Sequence, residues 1–172
     1  TSVVVSAVMA GFFDILSIRN PSVKELLRLR VGGRRARLKQ GLNLVRGRQL
    51  IHSLGEHFRF KEVYTNEPRD SFSSYNADRV VRVEKSVLKH VLFGPCREEY
   101  AKQLDEDDFV LGTIEQPKPV VEFEPNPRRL LAVDGIKHPE NMGMLLSSAV
   151  ALKYEGLLLS ANCVDPFSYK VL

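Results

Sequence analysis

The chain has 172 residues, 44% of them hydrophobic and 27% charged, which is the composition of a folded globular protein with one ordinary domain or two small ones. Its two cysteines lie in no CxxC pattern and its four histidines are scattered, which argues against a disulfide framework and against a metal site. The formal net charge of +4 by itself selects no class of partner.

The first apolar run, residues 3–13, is about half as long as a bilayer crossing requires, and no basic stretch precedes it. We therefore expect a buried strand or docking segment here, with no export signal and no membrane partner. Asn20-Pro21 is typical of a helix start, with a capping side chain before a proline at the first helical position. Val23 and Leu26 follow at helical spacing, so a helix is predicted over residues 21–30, ended by Gly32-Gly33.

Strands and helices then alternate, which favours a small α/β domain. Apolar and turn patterns predict strands at 41–45, 58–65, 79–83 and 109–115 and helices at 48–57 (Leu50, Ile51 and Leu54 facing inward), 86–92 and 97–104.

Residues 116–128 contain four prolines and no apolar periodicity, so they are predicted to be a linker between domains at 1–115 and 129–172. The second part reads as a parallel strand-loop-helix-strand unit. It comprises a buried strand at 130–133, a loop at 134–140, a helix at about 141–154 and a strand at 156–160. Small residues at Gly143, Ser147 and Ala151 predict one closely packed helix face.

Positive charge is concentrated near the N-terminus. Residues 19–48 contain ten basic residues and one acid, a net +9, whereas the rest of the chain contains 15 basic and 20 acidic residues, a net −5. Eight of the ten are arginines, whose planar fork suits phosphate and stacks on bases. The pattern favours salt-dependent RNA binding over a merely solvated basic surface. The residues expected to bind RNA are Arg19, Asn20, Arg28, Arg30, Arg34, Arg35, Arg37, Lys39, Arg46 and Arg48.

Three stretches carry a family resemblance. ILSIRNPSVKELLRLR and GLNLVRGRQLIHSL resemble the start of the substrate-binding domain of SpoU/TrmH-type RNA 2'-O-ribose methyltransferases, and LLAVDGIKHPENMGMLLSSAVALKYEGLLLSANCVDPFSYKVL resembles the first half of their catalytic domain. The resemblance covers about residues 15–172. It implies an α/β fold, with a small RNA substrate-binding domain at 1–115 and the first half of a trefoil-knotted SPOUT methyltransferase domain at 129–172. It also implies dimers formed through the SPOUT domain, and S-adenosylmethionine bound by a segment outside this chain.

The chain departs from the family's first catalytic motif, Asn-x-Gly-x-x-x-Arg. Asn141 and Gly143 match it and follow the motif residues Asp134 and Gly135, but Ser147 occupies the position of the arginine that helps to activate the ribose hydroxyl. A serine is a poor base at neutral pH and brings no positive charge. A glutamate usual in the family is Arg46 here, which enlarges the basic cluster. A hydrolase triad of Asp134, His138 and Ser147 or Ser148 is disfavoured because no nucleophile-elbow pattern surrounds either serine.

We therefore expect a homologue that binds ribosomal RNA, is catalytically degenerate and acts in assembly of the large ribosomal subunit. The alternative is an active S-adenosylmethionine-dependent rRNA or tRNA 2'-O-methyltransferase. The expected partners are ribosomal RNA, a ribosome assembly intermediate and a second subunit in a homo- or heterodimer. The short second part reads as a fragment of a longer protein. Eukaryotic organelles use such enzymes, and the stretch before Ile15 is apolar and acid-poor, so a mitochondrial location is expected, with the cytoplasm as the alternative.

Overall fold

The computed structural model describes residues 14–94, 109–118 and 127–171. The apolar segment at 3–13, the predicted helix at 97–104 and most of the predicted linker at 116–128 lie outside these ranges. The chain divides into two compact units, Thr1–Glu115 and Gln116–Leu172, and each is described by itself.

The first unit contains one mixed sheet and four described helices. Its strands are β1 (Asp14–Ile15), β2 (Leu42–Arg46), β3 (Phe60–Thr65), β4 (Ala77–Val83) and β5 (Leu111–Glu115). Its helices are α1 (Pro21–Val31), α2 (Gly33–Gln40), α3 (Arg48–Gly55) and α4 (Lys85–Phe93), with a 3-10 turn at Arg69–Ser74.

The order of the strands in the sheet is β1-β4-β3-β5-β2. β4 pairs in parallel with β1 and with β3, whereas β5 runs antiparallel to both β3 and β2. The strands β2, β3 and β4 therefore all begin at the same edge of the sheet, and β5 ends there. We call this side of the sheet the entry edge. The segments just before β2 and β3, which carry part of the candidate interface, lie next to it.

The helix α1 forms as the sequence predicts. Asn20 accepts a hydrogen bond from the backbone N–H of Ser22 at 2.9 Å, and Pro21 occupies the first turn. Val23, Leu26 and Leu29 are buried at helical spacing. A local cap and an apolar stripe were enough to specify this element.

The helix α2 was not predicted from the sequence. Gly32 ends α1, and α2 begins at once with Gly33 and ends at Gly41, which adopts a left-handed backbone with φ 66°. The sequence GRRARLKQ has no apolar stripe, so periodicity gives no helix signal there.

One apolar cluster of the first unit lies between α3 and the sheet. The buried members include Ile51, Phe60 and Val63, with Leu50 and Leu54 partly buried against them, as expected for the inward face of α3. A Cβ placed on Gly112 would approach the Phe60 ring to 2.7 Å, so the absence of a side chain at Gly112 is what lets this aromatic pack against β5. The core fixes the register of the central strands.

The second unit consists of β6 (Leu130–Val133), α5 (Pro139–Ala151) and β7 (Gly156–Leu159). β6 and β7 pair in parallel, Leu130 opposite Gly156 and Val133 opposite Leu159, with α5 as the connection. The predicted strand-loop-helix-strand order is confirmed. The prediction that β6 is a buried strand is wrong for the described residues, because Leu130 is 37% exposed and Val133 alone of the four is buried.

The predicted close packing of one face of α5 on a sheet or partner helix is met within the described chain only at Gly143. Ser147 and Ala151 are exposed in the described part of the chain. Gly143 alone fits the prediction, since a Cβ added there would lie 3.1 Å from the carbonyl oxygen of Val171. The missing side chain of Gly143 therefore admits the backbone of the last described residues.

Candidate nucleic-acid interface

The helix α2 presents a basic stripe to solvent. Its exposed residues are Arg34, Arg35, Leu38 and Lys39. At about 100° per residue these four side chains cover an arc of about 140°, and Arg37 lies on the opposite, inward side. In the part of the chain that the structure describes, none of the three exposed cations forms a salt bridge, so their charges face water.

The helix α1 and the turn before it extend the positive surface. Lys24 and Arg28 lie four residues apart on the exposed side of α1, opposite its buried apolar stripe, and Arg19 is exposed just before the helix. Glu25 lies on the same side of α1 and offsets part of this charge. We call the exposed cations of the turn, α1 and α2 the basic face; its members are Arg19, Lys24, Arg28, Arg34, Arg35 and Lys39.

Three arginines that the sequence assigned to RNA binding are buried or have partners within the protein. Arg37 is only 2% exposed, so its guanidinium does not reach the surface. Arg30 donates a hydrogen bond from Nη1 to the carbonyl oxygen of Val91 at 2.6 Å, near the C-terminal end of α4. There a cation satisfies a terminal carbonyl and stabilises the helix dipole. The sequence did not predict the burial of Arg37 or the hydrogen bond of Arg30, because composition does not distinguish the inward from the outward side of a helix.

Arg48 is the third. Its guanidinium forms a salt bridge of 2.5 Å with Glu67, whose carboxylate also accepts a hydrogen bond from the Tyr75 hydroxyl at 2.9 Å. Burial, and then the hydrogen bond to the negatively charged Glu67, raise the pKa of Tyr75 above its ordinary value. The Tyr75 ring stacks on His52 with 4.8 Å between the ring centroids. This cluster anchors α3 to the chain that follows β3.

Asn20 and Arg46, two other residues predicted to bind RNA, each have an interaction within the protein. Asn20 uses its side-chain oxygen to cap α1, so that oxygen is already engaged. Arg46 ends β2 opposite Leu111 and is partly exposed, with an interaction of its own.

The motif residues of the second unit lie around the C-terminal end of β6 and the first half of α5. Asp134 follows β6 directly and accepts a hydrogen bond from the Ser160 hydroxyl, which follows β7. Gly135 adopts φ 71°, a left-handed backbone that glycine tolerates best, and so turns the chain away from β6. The carboxyl ends of the two parallel strands are thereby tied together by a side-chain pair.

Asn141 and Ser147 both lie on exposed parts of α5, Asn141 in its first turn. The neighbouring Ser148 donates its hydroxyl hydrogen bond to the Met144 carbonyl at 2.8 Å, within the helix. Asp134 is paired with Ser160, so the described geometry brings no acid-histidine-serine triad together. What Ser147 offers is an exposed neutral hydroxyl where the motif has an arginine.

Sequence reasoning missed an exposed aromatic residue in the first unit. Phe58 is 54% exposed in the turn between α3 and β3, and the exposed His57 packs edge-on against it with 6.5 Å between the ring centroids. Phe58 was assigned to a strand, where alternation would have placed it on a packed surface. The signal that could have separated it is the helix end at Gly55, which leaves a short turn before β3.

Among the described residues, no group of three or more histidine, cysteine, aspartate or glutamate side chains is placed to hold a metal ion. No helix in the described ranges is long and apolar enough to cross a bilayer.

No family model matches the chain. It is 30% identical over 160 residues to the protein slr1673 of Synechocystis, described as an uncharacterized tRNA/rRNA methyltransferase, and the aligned region covers 92% of this chain and 57% of that relative. A solved RNA 2'-O ribose methyltransferase superposes with a TM-score of 0.62 at 26% identity, over 92% of this chain and 59% of that one. The SpoU methyltransferase AviRb of Streptomyces viridochromogenes, solved with AdoMet, gives a TM-score of 0.67 at 17% identity. The match covers 89% of this chain and 57% of AviRb.

The chain resembles the SpoU/TrmH family in its sequence motifs, and it shares the fold of the solved methyltransferases. The fold class expected from the sequence is confirmed, with a small α/β unit followed by the start of a SPOUT domain. The chain spans less than three fifths of the length of each of these relatives. It combines a basic first unit with a motif helix that has a serine at the arginine position.

Proposed function

We propose that this protein binds ribosomal RNA through the basic face of its first unit. The observation that carries the proposal is the exposed arc of α2, where Arg34, Arg35 and Lys39 point outward without salt bridges in the described chain. Cations that are not paired with protein acids are the ones that can neutralise phosphates and release counterions. The relative named as a tRNA/rRNA methyltransferase and the solved RNA 2'-O ribose methyltransferase support RNA as the ligand class.

The placement of two of these arginines makes a structural role for them less favourable. Arg34 and Arg35 lie in the first turn of α2, where the positive end of the helix dipole repels cations, at a cost of about 0.3–1 kcal/mol each. A phosphate bound there would turn both interactions favourable. A local rule broken on an exposed surface is typical of a functional residue.

For catalysis we propose a degenerate subunit that acts in assembly of the large ribosomal subunit. A serine at position 147 supplies neither the positive charge nor the base that ribose activation requires. Ser147 is exposed in the described part of the chain, and its hydroxyl is neutral. The second candidate is an active rRNA or tRNA 2'-O-methyltransferase, which the names of the relatives favour.

S-adenosylmethionine is the methyl donor of the family, and AviRb was solved with it. The family resemblance implies that the segment that binds it lies outside this chain. At the carboxyl ends of β6 and β7, Asp134 accepts a hydrogen bond from the Ser160 hydroxyl.

Dimerisation through the SPOUT domain and a mitochondrial location belong to the same proposal, with the cytoplasm as the alternative compartment. The exposed apolar residues of the second unit, such as Met144 and Val150, support an apolar contact surface there. Light scattering of the purified protein tests the first, and a monomer at micromolar concentration would contradict it. Fractionation of cells tests the second.

The decisive experiment measures RNA binding by charge-reversal variants. Reversal of Arg34, Arg35 and Lys39 to glutamate should weaken binding to ribosomal RNA strongly and reduce the salt slope by about 0.7–0.9 for each phosphate that is no longer neutralised. The matched control reverses Lys118, Lys153 and Lys170, three exposed cations of the second unit, with the same change in net charge. Equally weakened binding in both triple variants would indicate an effect of net charge alone and would overturn the assignment of the basic face.

A further inference from the structure

The exposed ring of Phe58 lies at the entry edge of the sheet, where the basic helix α2 also ends. Leu42 at the start of β2 is opposite Glu115, and β5 in turn pairs with β3, which begins at Phe60. The starts of β2 and β3 are thus separated by one strand, or about 10 Å at a strand spacing of about 4.8 Å. Lys39 lies in the last turn of α2 just before β2, and Phe58 lies just before β3, so both are just beyond this edge.

The turn that carries Phe58 is fixed rather than loose. The Phe58 N–H donates to the Leu54 carbonyl at 2.8 Å, and the Phe60 N–H donates to the Asn76 carbonyl at 2.9 Å. Asn76 also donates from its side-chain amide to the Gly55 carbonyl at 2.8 Å and to the Phe58 carbonyl at 3.4 Å. The backbone on both sides of the ring is therefore held by α3 and by the start of β4, while the ring itself remains in water.

A single exposed apolar residue is ordinary on a protein surface. Phe58 differs from this case in its surroundings. It is a large aromatic residue on a hydrogen-bonded turn, an exposed imidazole packs on its edge, and the unpaired cations of α2 lie on the same edge of the sheet. Arg59 and Lys61 are also close in sequence, but they pair with Asp78 and Glu115, so the net positive potential comes from α2.

We infer that Phe58 is a stacking platform for an unpaired base of the RNA whose phosphates bind to α2. This rests on the proposed function and adds the substrate class: a single-stranded or loop segment, in which a base is free to leave its stack. Aromatic faces bind unpaired bases of any sequence, and a basic groove or strip beside them follows the backbone. The strand starts next to these two residues are about 10 Å apart, a distance that a segment of a few nucleotides spans.

The test compares single-stranded and duplex RNA on the full-length protein. The probes are a single-stranded RNA of about 20 nucleotides with mixed sequence and a blunt duplex of the same length. Phe58→Ala should weaken binding of the single strand by about 10- to 100-fold, leave duplex binding unchanged and leave the salt slope unchanged, because stacking releases no counterions. Phe58→Trp should restore binding, whereas Phe58→Leu, which keeps the apolar surface without the aromatic face, should not.

The matched control is Leu16→Ala, an exposed apolar residue directly after β1, at the opposite edge of the sheet. It should leave the binding of both probes unchanged. A Phe58→Ala variant that binds single strands as well as the wild type, or that binds both probes equally weakly, would overturn the stacking role. If Phe58→Ala has no effect while the Arg34, Arg35 and Lys39 variant no longer binds RNA, only the stacking role of Phe58 is wrong. If neither variant changes RNA binding, the proposed function is wrong as well.

Discussion

The two units of the chain differ in how far their apolar residues are buried. In the first unit nearly all strands and helices contribute residues that are fully buried, among them Leu29, Val63 and Leu88. In the second unit the buried apolar residues described are Val133, Met142 and Ala149, while others such as Val150 and Leu152 are exposed. The first unit satisfies its own core, whereas the second leaves these apolar residues exposed in a chain that spans less than three fifths of its relatives' length.

The two units also differ in the functional residues that they carry. The first unit combines a packed core with a basic surface, so the proposed RNA-binding face rests on a packed scaffold. The second unit carries the catalytic motif of the family on a helix whose outward side is open and whose arginine position is Ser147. A protein can keep RNA binding after losing catalysis when the two functions reside on separate units.

The largest effect is expected in a methyl-transfer assay that compares catalysis with binding. The full-length wild-type protein, given S-adenosylmethionine and its ribosomal RNA, should bind the RNA but transfer methyl groups about 100- to 10,000-fold more slowly than an active family member, because a positioned charge is missing. Ser147→Arg is the companion variant, since the exposed position admits a long side chain in the described structure. Robust turnover by the wild type would show that another group supplies the activation.

The next prediction concerns the two cores. Phe60→Ala should destabilise the first unit by about 3–5 kcal/mol, because it empties the space that the ring fills against Gly112. Val150→Ala in the second unit should change the free energy of unfolding by less than about 0.5 kcal/mol, since Val150 is 77% exposed. Urea denaturation measures both. A large destabilisation by Val150→Ala would mean that this side chain is covered in solution, which would contradict the difference in burial between the two units.

A smaller effect separates the inward and outward arginines of α2. Arg37→Ala should lower the free energy of unfolding by about 1.5–3 kcal/mol, because it removes a buried charged group with its partners. Arg35→Ala should leave stability within about 0.5 kcal/mol and weaken RNA binding instead. Denaturation and binding titrations on the same two variants check this. Similar destabilisation by both would contradict the orientation of the helix.

The smallest effect is a pH dependence confined to the first unit. Burial, and then the hydrogen bond to a nearby glutamate, raise the pKa of Tyr64 and of Tyr75 above the ordinary value of about 10. A raised folded-state pKa gives a contribution that is complete below the unfolded pKa and is lost as the pH rises above it. Stability should therefore fall above about pH 10. Tyr75→Phe should reduce this fall, and an identical alkaline profile for that variant would remove Tyr75 as a cause.

Local sequence signals determined a large part of the described fold. The cap at Asn20-Pro21, the apolar stripe of α1 and the strand-helix-strand order after residue 129 each depend on neighbours a few residues apart, and all three are confirmed. The family resemblance was confirmed in the same way, from short motifs that stand in the chain. The concentration of positive charge at residues 19–48 is likewise a property of the sequence alone.

What the sequence could not decide is which side chains face water and which distant segments meet. The burial of Arg37 and the exposure of Arg34 depend on how α2 rotates against α1 and β2, and a helix without an apolar stripe carries no local instruction for that rotation. The common edge of Lys39 and Phe58 arises because β5 pairs between β2 and β3, a long-range register that the core around Phe60 and Gly112 fixes. Tertiary packing therefore sorted one basic cluster into arginines with partners in the protein and an exposed face, and brought the start of β3, which follows Phe58, to the same edge as the start of β2.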